Sequence, residues 1–241
     1  MPDGISLIPL AGIGEIRPGD DLAHVLADAL APKAADGPTL QTGDVVVVTQ
    51  KVVSKAEGQL VPVDSDDPAA KVALVERESV RIIRRRGDLI ISETRHGFIC
   101  ANAGIDLSNV ELGTAALLPE DSDRSARRIR AGLAALLGVD VGVIVSDTFG
   151  RTWRRGVTDV AIGCAGVAAV IDLRGTTDAN GRELIATEVC VADELASAAE
   201  LVMGKDRGIP AAIVRGVPAG WFRRASVKSE IIRPPDEDLF R

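Results

Sequence analysis

Short apolar runs recur along the chain at Val45–Thr49, Leu89–Ser92, Phe98–Ala101, Val141–Val145, Ala168–Leu173 and Ala211–Val214. Most carry β-branched residues and all are too short for a stable helix, so they predict buried strands. Between some of them lie stretches with helical spacing. Asp20–Leu30 opens on two acids, which the positive end of a helix dipole favours. Pro68–Arg86 places Val72, Val75, Val80 and Ile83 near a 3.6-residue period, and Ser122–Leu137 and Ala192–Met203 complete the set of expected helices. Strands and helices alternate without a regular βαβ count, so the pattern predicts an α+β fold of mixed layers rather than a doubly wound sheet. Polar, turn-rich breaks at Leu60–Asp67 (LVPVDSDD) and Leu118–Asp123 (LPEDSD) mark where lobes could separate. One domain is expected over residues 1–230; the charged tail 231–241, with Pro234 and Pro235, is expected to be a linker or exposed arm.

Composition narrows the function. With 241 residues, 46% of them apolar, the chain can bury a substantial core. Its net charge is −7 and its arginines are clustered locally, which disfavours a nucleic-acid partner and points to a small anionic ligand. Cys100, Cys164 and Cys190 lie far apart with no CxxC spacing, so neither a zinc site nor a disulfide framework is expected, and a reducing cytoplasm fits best. The N-terminus MPDGISLIPL lacks a basic region followed by a long apolar run, and no segment has the roughly 18 consecutive apolar residues of a membrane helix. No membrane association is expected.

Four segments join small and charged residues to the ends of apolar runs. In LAGIGEIRPGDDL, Gly12 and Gly14 would let backbone approach a ligand, or simply turn the chain. In VVVVTQKVVSKAEG, a strand leads into Gln50, Lys51 and Lys55, and the two lysines could present ammonium groups to phosphates or form an exposed face. HGFICANAGIDLSNVELG offers Asp106, Ser108 and Asn109, oxygen donors suited to magnesium or manganese and equally ordinary as turn formers. VGVIVSDTFGRTWRRG ends a β-branched strand on Asp147 and Thr148, a candidate cation site, followed by Arg151, Arg154 and Arg155. These arginines could hold phosphate oxygens as part of a catalytic set with Asp147, or pair with Asp159 or Asp172. There is no GxxxxGK[ST] loop, no third glycine after Gly12-Ile13-Gly14 and no GxSxG elbow, and His24 and His96 suggest no nucleophilic site. Metal-assisted phosphoryl transfer is the chemistry most consistent with these parts.

Taken in order, GDDL, VVSKAEG, NAGIDLSNVE, SDTFGRTWRRG, AIGCAGVAAVIDLRGTTDANGREL, VADELASAAELVMG and GIPAAIVRG resemble the coenzyme F420-0:L-glutamate ligase family, from about residue 8 to residue 216. The resemblance implies an enzyme that adds L-glutamate through γ-linkages to the deazaflavin coenzyme F420-0. GTP would be the co-substrate, with Mg2+ or Mn2+, and K+ as a further ion. It implies an acyl-phosphate intermediate, a homodimer and a fold of two interleaved α+β lobes. The family's nucleotide site falls on Gly12, Ile13, Gly14, Glu15, Gln50, Lys51, Lys55 and Asn109, and its metal ligands on Asp106, Asp147 and Thr148. A further ligand position of the family falls on Lys205, which as an ammonium binds no cation, so Asp206 would substitute or Lys205 would itself face phosphate. Some family members carry a C-terminal flavin-binding domain, and the tail of this chain is similar to such a junction. The segment AIGCAGVAAVI could pack at a subunit boundary or be an ordinary core strand. Rival readings are a guanine-nucleotide-binding module without catalysis and a metal-dependent phosphatase.

Overall fold

The run VVVVT at 45–49 is apolar at four consecutive positions because both faces of its strand are covered. A computed structural model describes residues 4–30, 38–64 and 67–239; Ser65 and Asp66 of the first expected break and positions 240 and 241 of the expected tail lie outside the described residues. Along the chain the strands are β1 (Ser6–Pro9), β2 (Val45–Thr49), β3 (Leu60–Pro62), β4 (Ser79–Arg86), β5 (Leu89–Thr94), β6 (Ile99–Ala101), β7 (Thr114–Ala116), β8 (Gly142–Gly150), β9 (Val157–Ala165), β10 (Ile171–Asp172), β11 (Glu188–Val189) and β12 (Ala211–Arg215). The helices are α1 (Leu22–Leu30), α2 (Gln50–Ala56), α3 (Pro68–Arg77), α4 (Ser122–Leu137), α5 (Val191–Met203) and α6 (Val227–Glu230).

The central sheet has the order β1-β12-β2-β8-β9, with β2 and β8 parallel and every other pair antiparallel. Period-two alternation divides its side chains between two cores. Val46, Val48, Val143, Val145 and Ile213 pack under α1 and α4 with Leu26, Ile129 and Leu133. Val45, Val47, Ile144, Ala212 and Val214 pack under α5 with Leu195, Ala199 and Met203. The result is an α+β fold with helices on both faces of a mixed sheet.

Residues between β2 and β8 build a second, smaller lobe: a β3-β7 ladder, the sheet β4-β5-β6 and α3. Its cores are modest, formed by Val63, Leu74, Ala115 and Leu117 and by Val75, Ile90 and Ala103. It is tied to the main body where Gln50 Nε2 and Ser54 Oγ, both buried on α2, donate to the carbonyl of Leu117 at 2.8 and 2.6 Å.

Two expected elements differ. The helix predicted over Pro68–Arg86 ends at Arg77, and Ser79–Arg86 is strand β4. Val80 and Ile83 are 68% and 40% exposed, so the helical period there had no core to face; β-branched residues instead pair with β5. Only Ile171 and Asp172 of the strand expected over Ala168–Leu173 lie in a ladder, because the N–H of Ala168 bonds instead to the carbonyl of Trp221. The start of the expected exposed tail also has a packing role, since Ile231 and Ile232 lie against the α5-side core.

The small-residue segment AIGCAGVAAVI is used inside the chain. Ala161, Ile162, Cys164, Val167 and Ala169 are buried in the two cores, and Gly163 lies under the first turn of α4. A Cβ on Gly163 would sit 2.3 Å from the carbonyl carbon and oxygen of Ser122. That contact lets the carboxylate of Asp123 reach past the strand and accept from the N–H groups of Cys164, Val227 and Lys228 at 2.8, 2.9 and 3.1 Å. Gly163→Ala should therefore lower the unfolding free energy in urea by about 3 kcal/mol or more, because backbone must move. Gly150→Ala, with open space around its Cβ position, should change it by less than about 0.5 kcal/mol.

Candidate active site

Parallel strands present their C-terminal ends at one edge of a sheet, and ligands of α/β folds settle beyond such ends. Here β2 ends at Thr49 opposite Ser146 of β8, and a cleft of about 520 Å³ opens next to them. Four other parts of the chain complete it: the turn Ile13–Glu15, the start of α2, the Asp106–Asn109 loop of the small lobe, and the segment Gly204–Pro210 after α5. The loop is held in place by reciprocal backbone hydrogen bonds between Asp106 and Ala116, 3.0 and 2.8 Å long.

Of the residues expected from sequence, Ile13, Gly14, Glu15, Gln50, Lys51, Lys55, Asp106, Asn109, Asp147, Thr148 and Lys205 line this one cleft. Gly12 stands just outside, in a left-handed conformation (φ 80°) that suits glycine. Gln50 is only 1% exposed, and its amide nitrogen is committed to Ser54 and Leu117, so it is a clamp between lobes as well as a cleft wall. Arg151, Arg154 and Arg155 are not in the cleft; they are exposed on the β8–β9 hairpin tip. Neither of their expected acidic partners holds them: Asp159 accepts from hydroxyls, and Asp172 pairs with Arg174 at 2.7 Å.

Asp159 is the cleft residue that sequence reasoning assigned elsewhere. It is 2% exposed and accepts from Ser146 Oγ at 2.9 Å and Thr148 Oγ1 at 2.6 Å. A bulge at Ile162 shifts the register, pairing Val145 with Gly163 but Ser146 with Ala161, and so sets how Asp159 meets the two hydroxyls. The available signal was an acid inside the alternating run VTDVAIG, where a strand's inward position normally takes an apolar residue. Glu200, on α5, is a second cleft acid without an obvious signal in sequence.

The cleft's charges are crowded. Glu15, Asp106, Asp147, Asp159, Glu200 and Asp206 face three lysines, Lys51, Lys55 and Lys205. Lys51 bonds Asp106 at 2.8 Å and Ser108 Oγ at 2.9 Å, and Lys55 pairs with Glu15. Burial would raise the pKa of Asp106, but Lys51 and the N–H and hydroxyl of Ser108 outweigh it and hold the carboxyl below its usual range. Asp147 has no such support. Its carboxylate accepts from the Thr148 N–H at 2.7 Å, yet burial first, then the neighbouring Asp106 and Asp159, push it up to about 7, with Lys205 pulling against them. Glu200 is raised by burial and by Asp159, again opposed by Lys205.

This donor set fits a hard divalent cation. Among the described residues no three acidic, histidine or cysteine side chains converge to enclose one. Magnesium is commonly held by one or two carboxylates with water and phosphate oxygens completing the shell, and Asp106 and Asp147 can supply that pair. The hydroxyl of Thr148 is committed to Asp159, so it supports the site through that bond. All three cysteines are free thiols. No helix among the described residues is long and apolar enough to cross a membrane.

An acid-rich cleft at the ends of parallel strands, with lysines among its lining, is the arrangement of an enzyme-like site. The chain belongs to the F420-0:Gamma-glutamyl ligase family, whose model matches residues 12–216. It is 44% identical to the coenzyme F420:L-glutamate ligase of Methanothermobacter thermautotrophicus, an alignment covering 99% of each chain. It is 46% identical to that of Methanopyrus kandleri over 94% of each, and 40% identical to that of Methanocaldococcus jannaschii over 84% of this chain and 86% of the relative.

Charge crowding at Asp147 yields a test. An acid whose pKa is raised on folding favours the folded state while protonated, so stability falls as pH rises from the unfolded value of 3.8 through about 7. In the absence of divalent cations, Asp147→Asn should be more stable than wild type by about 1–2 kcal/mol at pH 8, after allowing for partial solvent screening. The difference should vanish below pH 4, as read by urea unfolding across pH.

Proposed function

We propose that the protein joins L-glutamate to the carboxylate of the deazaflavin coenzyme F420-0 in a γ-linkage, consuming GTP with Mg2+ or Mn2+. The observation that carries this reading is the pairing, in one cleft, of the under-compensated carboxylate of Asp147 with the lysines Lys51, Lys55 and Lys205. Carboxylates alone would repel a triphosphate; carboxylates that hold a cation, beside ammonium groups, would accept it.

In this proposal the substrate carboxylate attacks the γ-phosphorus and GDP leaves, giving an acyl phosphate. The amine of glutamate then attacks the acyl carbon and inorganic phosphate departs, forming the amide. Phosphorylation is needed because a carboxylate oxygen is a poor leaving group. Lys51 and Lys55 act as point charges toward phosphate oxygens. The turn Gly12–Glu15 lets the nucleotide lie against backbone, and Asp106 and Asp147 hold the cation. Bound there, the cation would supply neutralisation of the phosphate charge between two approaching anions. A homodimer and a cytoplasmic setting belong to the same proposal.

The test is mass spectrometry of F420-0 incubated with GTP, Mg2+ or Mn2+ and L-glutamate. Added glutamyl units together with glutamate-dependent phosphate release are expected. Phosphate release without glutamate would indicate a phosphatase, and binding of GTP with no release would indicate a non-catalytic module. Asp147→Asn should cut ligation at least about 100-fold while the protein stays folded, since the amide keeps the shape and loses the charge. Near-normal turnover of that variant would remove Asp147 from the site.

A further inference from the structure

The mechanism proposed above leaves one acid of the cleft without a task. Glu200 lies on the last turn of α5, at the end of a stripe formed by Asp193, Ser197 and Glu200 that shares one face of the helix. The first two members are fastened to β9. Asp193 accepts from the N–H of Ala161 at 2.9 Å. Ser197 Oγ donates to the carbonyl of Asp159 at 2.7 Å and lies 2.9 Å from Thr158 Oγ1. These bonds fix the helix on the strand, and the third member of the stripe is thereby held at the cleft.

Among the described residues no donor bonds the carboxylate of Glu200 and no cation forms an ion pair with it. Its position is unfavourable for the free protein. An acid in a last helical turn meets the negative end of the helix dipole, where a lysine or arginine would stabilise, and α5 has no basic residue there. Burial, and then the carboxylate of Asp159, oppose its ionisation, with Lys205 pulling the other way. Both oxygens of Asp159 are engaged, one by Ser146 and one by Thr148, so Glu200 is the acid on this side of the cleft whose oxygens await a donor.

We propose that Glu200 receives the ammonium group of the incoming L-glutamate and takes its proton, releasing the amine that attacks the acyl carbon. This rests on the acyl-phosphate route proposed above. An ammonium nitrogen has no lone pair, so ligation needs a base within reach of it. One N–H bond breaks and its proton passes to a carboxylate oxygen of Glu200; the freed lone pair forms the C–N bond. The bond between the acyl carbon and the phosphate oxygen breaks, and the departing phosphate carries away the second proton that the nitrogen sheds. Glu200 returns its proton to solvent when the product leaves. An ammonium at this place would meet the carboxylate and the negative end of α5 together. One carboxylate balances its single charge, whereas Asp159, already engaged by two hydroxyls, is less available to share a divalent cation.

Hydroxylamine separates this role from the earlier steps, because it is largely unprotonated at neutral pH and traps an acyl phosphate as a hydroxamate without a base. Wild type, Glu200→Gln and Glu200→Asp should be compared for glutamyl extension of F420-0 and for hydroxamate formation, each with GTP and Mg2+. Glu200→Gln should lose about 100-fold in the rate of extension, while its hydroxamate formation stays near that of wild type. Glu200→Asp should recover part of the loss. The urea midpoint of Glu200→Gln at pH 8 should be at or above the wild-type value, since the amide removes a charge that burial and the dipole oppose. Extension by Glu200→Gln at the wild-type rate, or equal loss of extension and hydroxamate, would overturn the proposal. So would recovery of Glu200→Gln at raised Mg2+, which would make Glu200 a cation ligand. Wild type that extends F420-0 but yields no hydroxamate would refute the acyl-phosphate route and this inference with it. Hydroxamate from the wild type with Glu200→Gln unimpaired in extension would refute only the role of Glu200.

Discussion

Parallel pairing of β2 with β8 is the constraint from which the site follows. Parallel neighbours cannot be joined by a tight turn, so the chain must cross over between them, and here that crossover carries α2, the entire small lobe and α4. Ending the two strands at the same edge places Thr49 beside Ser146, and starting α2 directly at Gln50 puts Lys51 and Lys55 over that edge. The small lobe has little core of its own, and it returns Asp106 to the edge because α2 grips it twice, through Gln50 and Ser54 on Leu117 and through Lys51 on Asp106. Lobe position and cleft charge thus depend on the same short helix.

Charge in the cleft is balanced unevenly, and the unevenness has a chemical direction. Asp106 is supported by a lysine and a serine, and Asp159 by two hydroxyls, whereas Asp147 lies between these acids with a single backbone donor on its carboxylate. Such an arrangement is costly in the protein alone, because burial and two neighbouring acids oppose ionisation of Asp147.

The large elements were legible because their periodicity is strong. The five-residue β2 and both long helices α4 and α5 match their apolar patterns, and the caps that end α4, Asp121 and Gly138, have the residue types such ends require. Legibility failed where local pattern and tertiary context disagree. In Ser79–Arg86 the apolar spacing suits a helix, yet the neighbouring β5 offers a ladder and no core lies opposite a helical face. Strand β9 was hidden by its glycine, alanine and acid, each needed for a contact made elsewhere: Gly163 beneath α4, Ala161 against α5, Asp159 to Ser146 and Thr148. For the cleft, the motif resemblance brought together residues from five parts of the chain that no spacing rule would join. The arginines were legible as a cluster but not as a place, because a hairpin's reach beyond the sheet is invisible in a string of letters.

That reach separates two kinds of positive charge. Lysines line the cleft, each of Lys51 and Lys55 paired with an acid of the same cleft. Arginines occupy the hairpin tip, exposed to solvent and outside the cleft. Phe149 fixes the base of that hairpin on the α4-side core, so the acids that β8 and β9 present to the cleft are held by the body of the sheet rather than by the exposed tip.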